Sequence, residues 1–281
     1  AIGLNLDGKI GARDFTSPEG IKGVDNQLFR AIGCLDFFRG PTGVLYIFST
    51  KYLRQFNFDR ALVELTNVDD LKNDPDVDVT FYRGLDRLMT DATGEQVVPG
   101  GSQRIDARFG KKFIADTKGK IVDGVLTTDP VDVYWPWAIF PGDTASYKFK
   151  GARLQVKLTP ESAEGVLGGY ADVDNWYQSL ITSYSTHHLG YGRVSAPGLY
   201  RALRRNADGY PDAAGANTAI SFAITVKYAQ AFLHHPEAEA SFIAKARGKR
   251  GVVGWIEAEG IVRRGDAITV WIPPQRVYAH T

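Results

Sequence analysis

Cysteine is almost absent from this chain: Cys34 is the one thiol among 281 residues. That excludes an intramolecular disulfide framework and any zinc site built on several cysteines. Methionine is equally scarce, with Met89 alone. No run of about 18 apolar residues occurs, so no apolar helix is predicted to span a bilayer. An excess of one charge is missing too, because 33 basic and 32 acidic side chains leave a net +1. A polyanion-binding arm or an acidic solvating tail is therefore excluded as the main feature, and no nucleic-acid partner is expected. Internal repeats, low-complexity segments and long flexible linkers are lacking. So are the Gly-x-Ser-x-Gly elbow, the phosphate-binding loop, the dinucleotide fingerprint and the His-Glu-x-x-His helix.

What is present is the composition of a folded globular protein, 44% hydrophobic and 23% charged. The length is enough to bury a sizeable core. It fits about two domains or one large β domain. The chain opens on Ala1-Ile2-Gly3. Cleavage of a signal peptide after a small residue leaves such a start, so a periplasmic or extracellular location is expected, although trimming leaves the same start.

Residues 1–158 read as strands. In Asp76–Tyr82, Val77, Val79 and Phe81 share one face, and Arg153–Leu158 alternates strictly. Period two places one face in the core and the other in water, as in antiparallel sheet. Further strands are predicted at 43–49, 61–66, 103–108, 120–127, 130–135 and 145–150, separated by Gly-, Pro- and Asn/Asp-rich turns. The pattern changes near residue 159. Trp176, Tyr177, Leu180, Ile181 and Tyr184 mark one helical face. A second helix is predicted with Ser195 as cap, Pro197 in its first turn and Gly209 at its end. Ile220, Phe222, Ile224, Val226 and Tyr228 then alternate with smaller or polar residues, which predicts one buried face of a long strand. A short helix between Pro236 and Gly248 and strands at 251–257 and 267–272 complete the reading. The expected fold is mainly β, an antiparallel sandwich or jelly-roll type with two or three helices in the C-terminal half. Residues 159–281 form either a mixed part of their own or a part packed on the same sheet.

Four groups of residues carry candidate chemistry. Asp7, Asp14, Asp25 and Asn26 lie in Gly/Pro-rich turn sequence, where carboxylate, amide and carbonyl oxygens can ligate a hard cation. Calcium is accordingly the candidate cofactor. The same residue types cap turns through side-chain-to-backbone hydrogen bonds, and the spacing is not that of an EF-hand. His187-His188, in hydroxyl- and Gly-rich sequence, is the candidate catalytic pair, with His234-His235-Pro236 as a second pair at a strand-to-helix junction. Histidine there can serve as general base or metal ligand if the pairs converge. Trp135, Trp137, Tyr184 and Tyr191 are candidate ligand-binding aromatics, since Trp and Tyr rings stack on ring-shaped ligands and orient them with a polar tip. Trp176 reads as core or stacking surface. Glu257 and Glu259 share a face of a predicted strand, as paired glycosidase carboxylates do. They read equally as solvated charges. The basic group Lys245, Arg247, Lys249, Arg250, Arg263 and Arg264 reads as a solvated face.

Asp7-Gly8, Asp14-Phe15-Thr16-Ser17-Pro18-Glu19-Gly20 and Gly23-Val24-Asp25-Asn26-Gln27 resemble the opening of a family of secreted or periplasmic bacterial proteins of uncharacterised function, whose members read DG…DF.SPDG.PGIDNQ. The likeness continues through Asn73–Val77, Phe81–Gly84, Gly165–Tyr170 and Asn217–Ser221, about four-fifths of the chain. Glu19 stands where that family usually has Asp, and Lys22 where it has Pro. The resemblance implies an extracytoplasmic β-rich protein and supplies no activity. A weaker likeness covers Gly251–Ile256 and Gly260–Asp266, which are similar to the closing hairpin of MOSC domains. That family relies on a core-domain cysteine, and Cys34 stands far upstream in a different context.

The function expected is an exported ligand-binding or structural module, calcium-stabilised, with an aromatic-lined cleft for a small molecule or carbohydrate. One alternative is a periplasmic hydrolase or lyase using histidine acid–base chemistry on a carbohydrate or aromatic substrate. The other is a MOSC-like sulfur-carrier domain.

Overall fold

Strict alternation, an Asp-Gly turn and a glycine-rich strand together build the main sheet. The computed structural model describes residues 1–35, 38, 43, 47, 50, 53–55, 60–136, 146–182 and 195–236. The chain divides into units Ala1–Ala240 and Ser241–Thr281, and all of the second lies outside the described residues. So do the predicted helix after Pro236, the strands at 251–257 and 267–272, and most of the strand at 43–49.

The N-terminal segment forms a small ribbon of β1 (Phe15–Thr16) and β2 (Lys22–Val24), followed by helix α1 (Gln27–Ile32). Next come β3 (Arg60–Thr66), β4 (Asp74–Gly84), β5 (Gly101–Arg104), β6 (Ala115–Val122), β7 (Val125–Thr128) and β8 (Val131–Pro136). Then follow β9 (Ser146–Leu158), β10 (Ser162–Asp172), α2 (Val173–Thr182), α3 (Ala196–Asn206), β11 (Gly209–Pro211), β12 (Asn217–Ala229) and β13 (Ala231–His234). The described residues are thus mainly β, as the alternation predicts, with α1, α2, α3 and a single helical turn at Leu53–Gln55.

Nine strands form one antiparallel sheet in the order β11-β12-β10-β9-β7-β6-β4-β3, with β8 also paired to β9. Strands from both sides of residue 159 belong to it. The segment read as one strand at 120–127 is a hairpin. Val122 pairs with Val125 across Asp123-Gly124, both at positive φ (50° and 77°). Those angles are what a two-residue turn matched to sheet twist requires. The reading at 103–108 also splits. Strand β5 stops at Arg104, and the Asp106 carboxylate then accepts from Arg108 N to cap a single 3-10 turn. The readings at 145–150 and 153–158 merge into β9, which bends at Gly151 (φ 54°). One side of β9 pairs with β7 beyond the bend and with β8 before it.

Strand β10 has no counterpart in the sequence reading. Its glycines weaken the strand signal, yet proximity demands them. A Cβ on Gly165 would stand 2.0 Å from the Gln155 carbonyl oxygen of β9.

The core lies on one face of the sheet. Val77, Val79 and Phe81 of β4, Ile121, Leu126, Leu154, Val156, Leu167, Ile220 and Phe222 are buried there. Helix α2 adds Val173, Trp176 and Leu180, and α3 adds Leu199 and Leu203. Each fully buried aliphatic or aromatic side chain contributes about 1.5–3 kcal/mol. Strand β12 departs from the predicted single buried face. Ile220 and Phe222 are in the core, but Ile224 is 36% exposed. On its other face Ala219 and Ser221 are buried as well, because the N-terminal segment covers them: Gln27 N donates to Ser221 Oγ.

Candidate functional site

The outer face of β3 and β4 gathers ionisable groups through the same alternation that fills the core. Val63 and Phe81 pack inward, which turns Glu64 and Tyr82 outward on neighbouring strands. Strand β13 lies parallel to β5, and Ile105 N donates to His234 O, so the next residue, His235, is delivered over this face. His235 Nε2 lies 2.9 Å from Glu64 Oε1, and Tyr82 Oη donates to Glu64 Oε2 at 3.0 Å. The two rings meet edge to face, centroids 5.8 Å apart. One carboxylate therefore holds an imidazole and a phenol together. Burial, then the hydrogen bond to Glu64 and its charge, push the Tyr82 phenol up to about 12, so it stays a proton donor at neutral pH. A carboxylate facing Nε2 makes that nitrogen the donor, and in the neutral ring Nδ1 is then the acceptor. The His235 side chain is 41% exposed and Glu64 22%, so this imidazole is open to solute. Beside it, Thr80 Oγ1 donates to Asp116 at 2.8 Å.

The N-terminal oxygens are engaged by backbone. Asp25 Oδ2 accepts from Leu6 N at 2.7 Å and from Asp7 N at 3.3 Å. Burial raises the Asp25 pKa against those two bonds. Asp7 accepts from Lys9 N, and Asp14 from Gly11 N at 2.5 Å. Asn26 caps α1 by accepting from Phe29 N and ties the chain start by donating to Ile2 O. These are the turn-capping roles open to Asp and Asn in such sequence. Among the described residues, no three His, Cys, Asp or Glu side chains are grouped to hold a metal ion.

Of the predicted aromatics, Trp135 sits half-buried on β8 with its ring 6.3 Å from Phe149. Trp176 is 5% exposed and stacks on Tyr147 at 5.9 Å, so it is a core residue. Trp137, Tyr184, His187, His188 and Tyr191 lie outside the described residues, as do Glu257, Glu259, the basic group at 245–264 and the MOSC-like hairpin.

Sequence reasoning also missed a buried ion pair. Arg83 Nε lies 2.9 Å from Asp106 Oδ2, Arg108 closes on the same oxygen at 2.7 Å, and the Arg83 guanidinium stacks 4.4 Å from the Phe109 ring centre. Burial alone would raise the Asp106 pKa, but hydrogen bonds from Arg108 and both guanidinium charges outweigh it and hold the group below its ordinary value. The short spacing Asp106-Ala107-Arg108 is the local signal. The Arg83 partnership depends on the bridge between Gly84 and Ile105, far apart in sequence, and has none. This cluster fastens β4 to the 3-10 turn and is closed to solutes at Arg83.

The chain matches no protein-family model, no curated protein and no solved structure.

Proposed function

We propose that this chain is an exported ligand-binding module that meets its ligand at the Tyr82–Glu64–His235 face. The observation that carries the reading is the single Glu64 carboxylate holding an accessible imidazole and a phenol within 3.0 Å. Two orthogonal rings with polar tips supply stacking surface and directional hydrogen bonds for a ring-shaped solute such as a carbohydrate or phenol. Export agrees with the family resemblance of the N-terminal motif.

The hydrolase or lyase alternative is favoured by one further feature of the same groups. A carboxylate behind imidazole sets its tautomer and stabilises the imidazolium, as in histidine general bases. One experiment separates the readings. A panel of sugars and phenols is titrated against the chain while the histidine ring nitrogens are followed by magnetic resonance and product formation is assayed in the same samples. The binding reading expects saturable shifts at His235 and no product. His235→Ala should abolish the shifts and move stability by no more than about 0.5 kcal/mol, as for an exposed position. Product formed by the native chain and lost in His235→Ala would establish the enzyme instead. Absence of both would remove this face as a site.

A further inference from the structure

The N-terminal motif builds an arrangement that the ligand reading above does not use: two guanidinium groups converge on one neutral amide oxygen, Gln27 Oε1. Arg13 Nη2 donates to Gln27 Oε1 at 3.4 Å and to Asn206 Oδ1 at 2.9 Å. Arg30 Nε donates to the same Gln27 Oε1 at 2.9 Å, and its Nη2 donates to Arg13 O at 2.6 Å. Every one of these acceptors is a neutral amide or carbonyl oxygen. Gln27 itself is buried, fixed by Nε2 donating to Arg13 O and by its backbone N donating to Ser221 Oγ. The arginine side is fixed too, because the Arg30 guanidinium lies 4.5 Å from the centre of the Phe15 ring, which meets Phe29 edge to face at 5.8 Å.

Arg83, Arg104 and Arg108 each meet an aspartate. Neither Arg13 nor Arg30 has an ion pair among the described residues. Of the acids nearby, Asp14 accepts from Gly11 N, and Asp208 accepts from Ser221 N and Ser221 Oγ while its charge still reaches Arg13. Arg204 and Arg205, in the last turn of α3 beside Asn206, add further positive charge. Both arginines are exposed, so their remaining N–H groups face solvent. Two like charges held side by side by neutral acceptors repel each other, and an anion between them relieves the repulsion. Guanidinium forks match carboxylate and phosphate oxygens in geometry. Phe29, 45% exposed, supplies apolar surface alongside.

We propose that Arg13 and Arg30, positioned by Gln27 and Phe15, form a binding site for an oxyanion carrying an apolar or aromatic group, such as an organic carboxylate or a phosphate monoester. The test uses the full chain with its arginine Nε–H groups followed by magnetic resonance. Inorganic phosphate, benzoate and phenyl phosphate are each titrated in. Saturable shifts at Arg13 and Arg30 are expected, with benzoate and phenyl phosphate binding more tightly than bare phosphate. Arg30→Gln should weaken binding about tenfold, the loss of one charge-assisted contact, and Arg30→Lys should recover only part of it. The circular dichroism of each variant reports its fold. If a variant does not fold, chloride competition in the unaltered chain decides. Shifts that remain linear in concentration, or that chloride does not displace, overturn the proposal, as does equal affinity in Arg30→Gln. Equal affinity for all three anions refutes the apolar part.

Discussion

Phe222 and Ile224 stand two residues apart on one strand and point to the same face, yet only Phe222 is sealed, at 1% against 36% exposure. Truncating the first leaves a cavity and truncating the second mostly leaves water. Phe222→Ala should cost about 3–5 kcal/mol in urea unfolding, and Ile224→Ala less than about 1 kcal/mol. Equal losses would show that Ile224 is covered in solution. Alternation in the sequence assigns the face of each residue but carries no word on where the cover stops. The same limit governs the candidate site. His235 was legible as a histidine at a strand-to-helix junction, whereas its partner Glu64 lies 171 residues away and only the tertiary fold joins them.

At the scale of elements, regular strands with polar turns were legible and the glycine-rich β10 was not, because its signal is the closeness of a neighbour's backbone. The loop before α1 was visible as turn chemistry, and its hydrogen bonds assign it work in holding the outer face of β12. Asn26→Ala removes both the α1 cap and the anchor to Ile2 O, so a loss of about 1–2 kcal/mol is expected. Because Asp7, Asp14 and Asp25 already serve backbone N–H groups, the melting temperature should not change on adding a chelator. A rise on adding calcium would instead assign those oxygens to a bound cation.

For the whole molecule, acid is the informative stress. Asp106 and Asp86 have folded pKa values below the ordinary aspartate value, Asp106 despite its burial and Asp86 through Arg104 first. A depressed folded pKa gives stability that is present above about 3.9 and is lost as pH falls through the folded value. Asp25 and Asp208 act in the opposite sense, because burial raises them, so their share is present below about 3.9 and lost as pH rises through their folded values. Melting temperature followed from about pH 7 down to about pH 2 should therefore begin to fall near about pH 4, where the unfolded chain takes up protons first, and keep falling until Asp106 and Asp86 are protonated in the folded chain. Asp106→Asn should flatten that fall. It should also cost about 3–5 kcal/mol at neutral pH, since it removes the Asp106 charge from its ion pair with the buried Arg83 guanidinium. An unchanged acid limb in this variant would move the effect to other carboxylates.

The parallel pairing of β5 with β13 also orders events in time. During synthesis β5 emerges long before the residues that will lie beside it, and nearly all of the main sheet is made in between. Contacts so distant in sequence close late, after the loop entropy they enclose has been offset by nearer pairings. Until then one edge of β5 is open to any passing strand. Its four residues, with Ser102 and Arg104 turned to solvent, are a short and polar edge of the kind that resists such encounters. The Tyr82–Glu64–His235 face is completed by the residue just beyond β13, so a folding chain acquires it only when this late pairing closes.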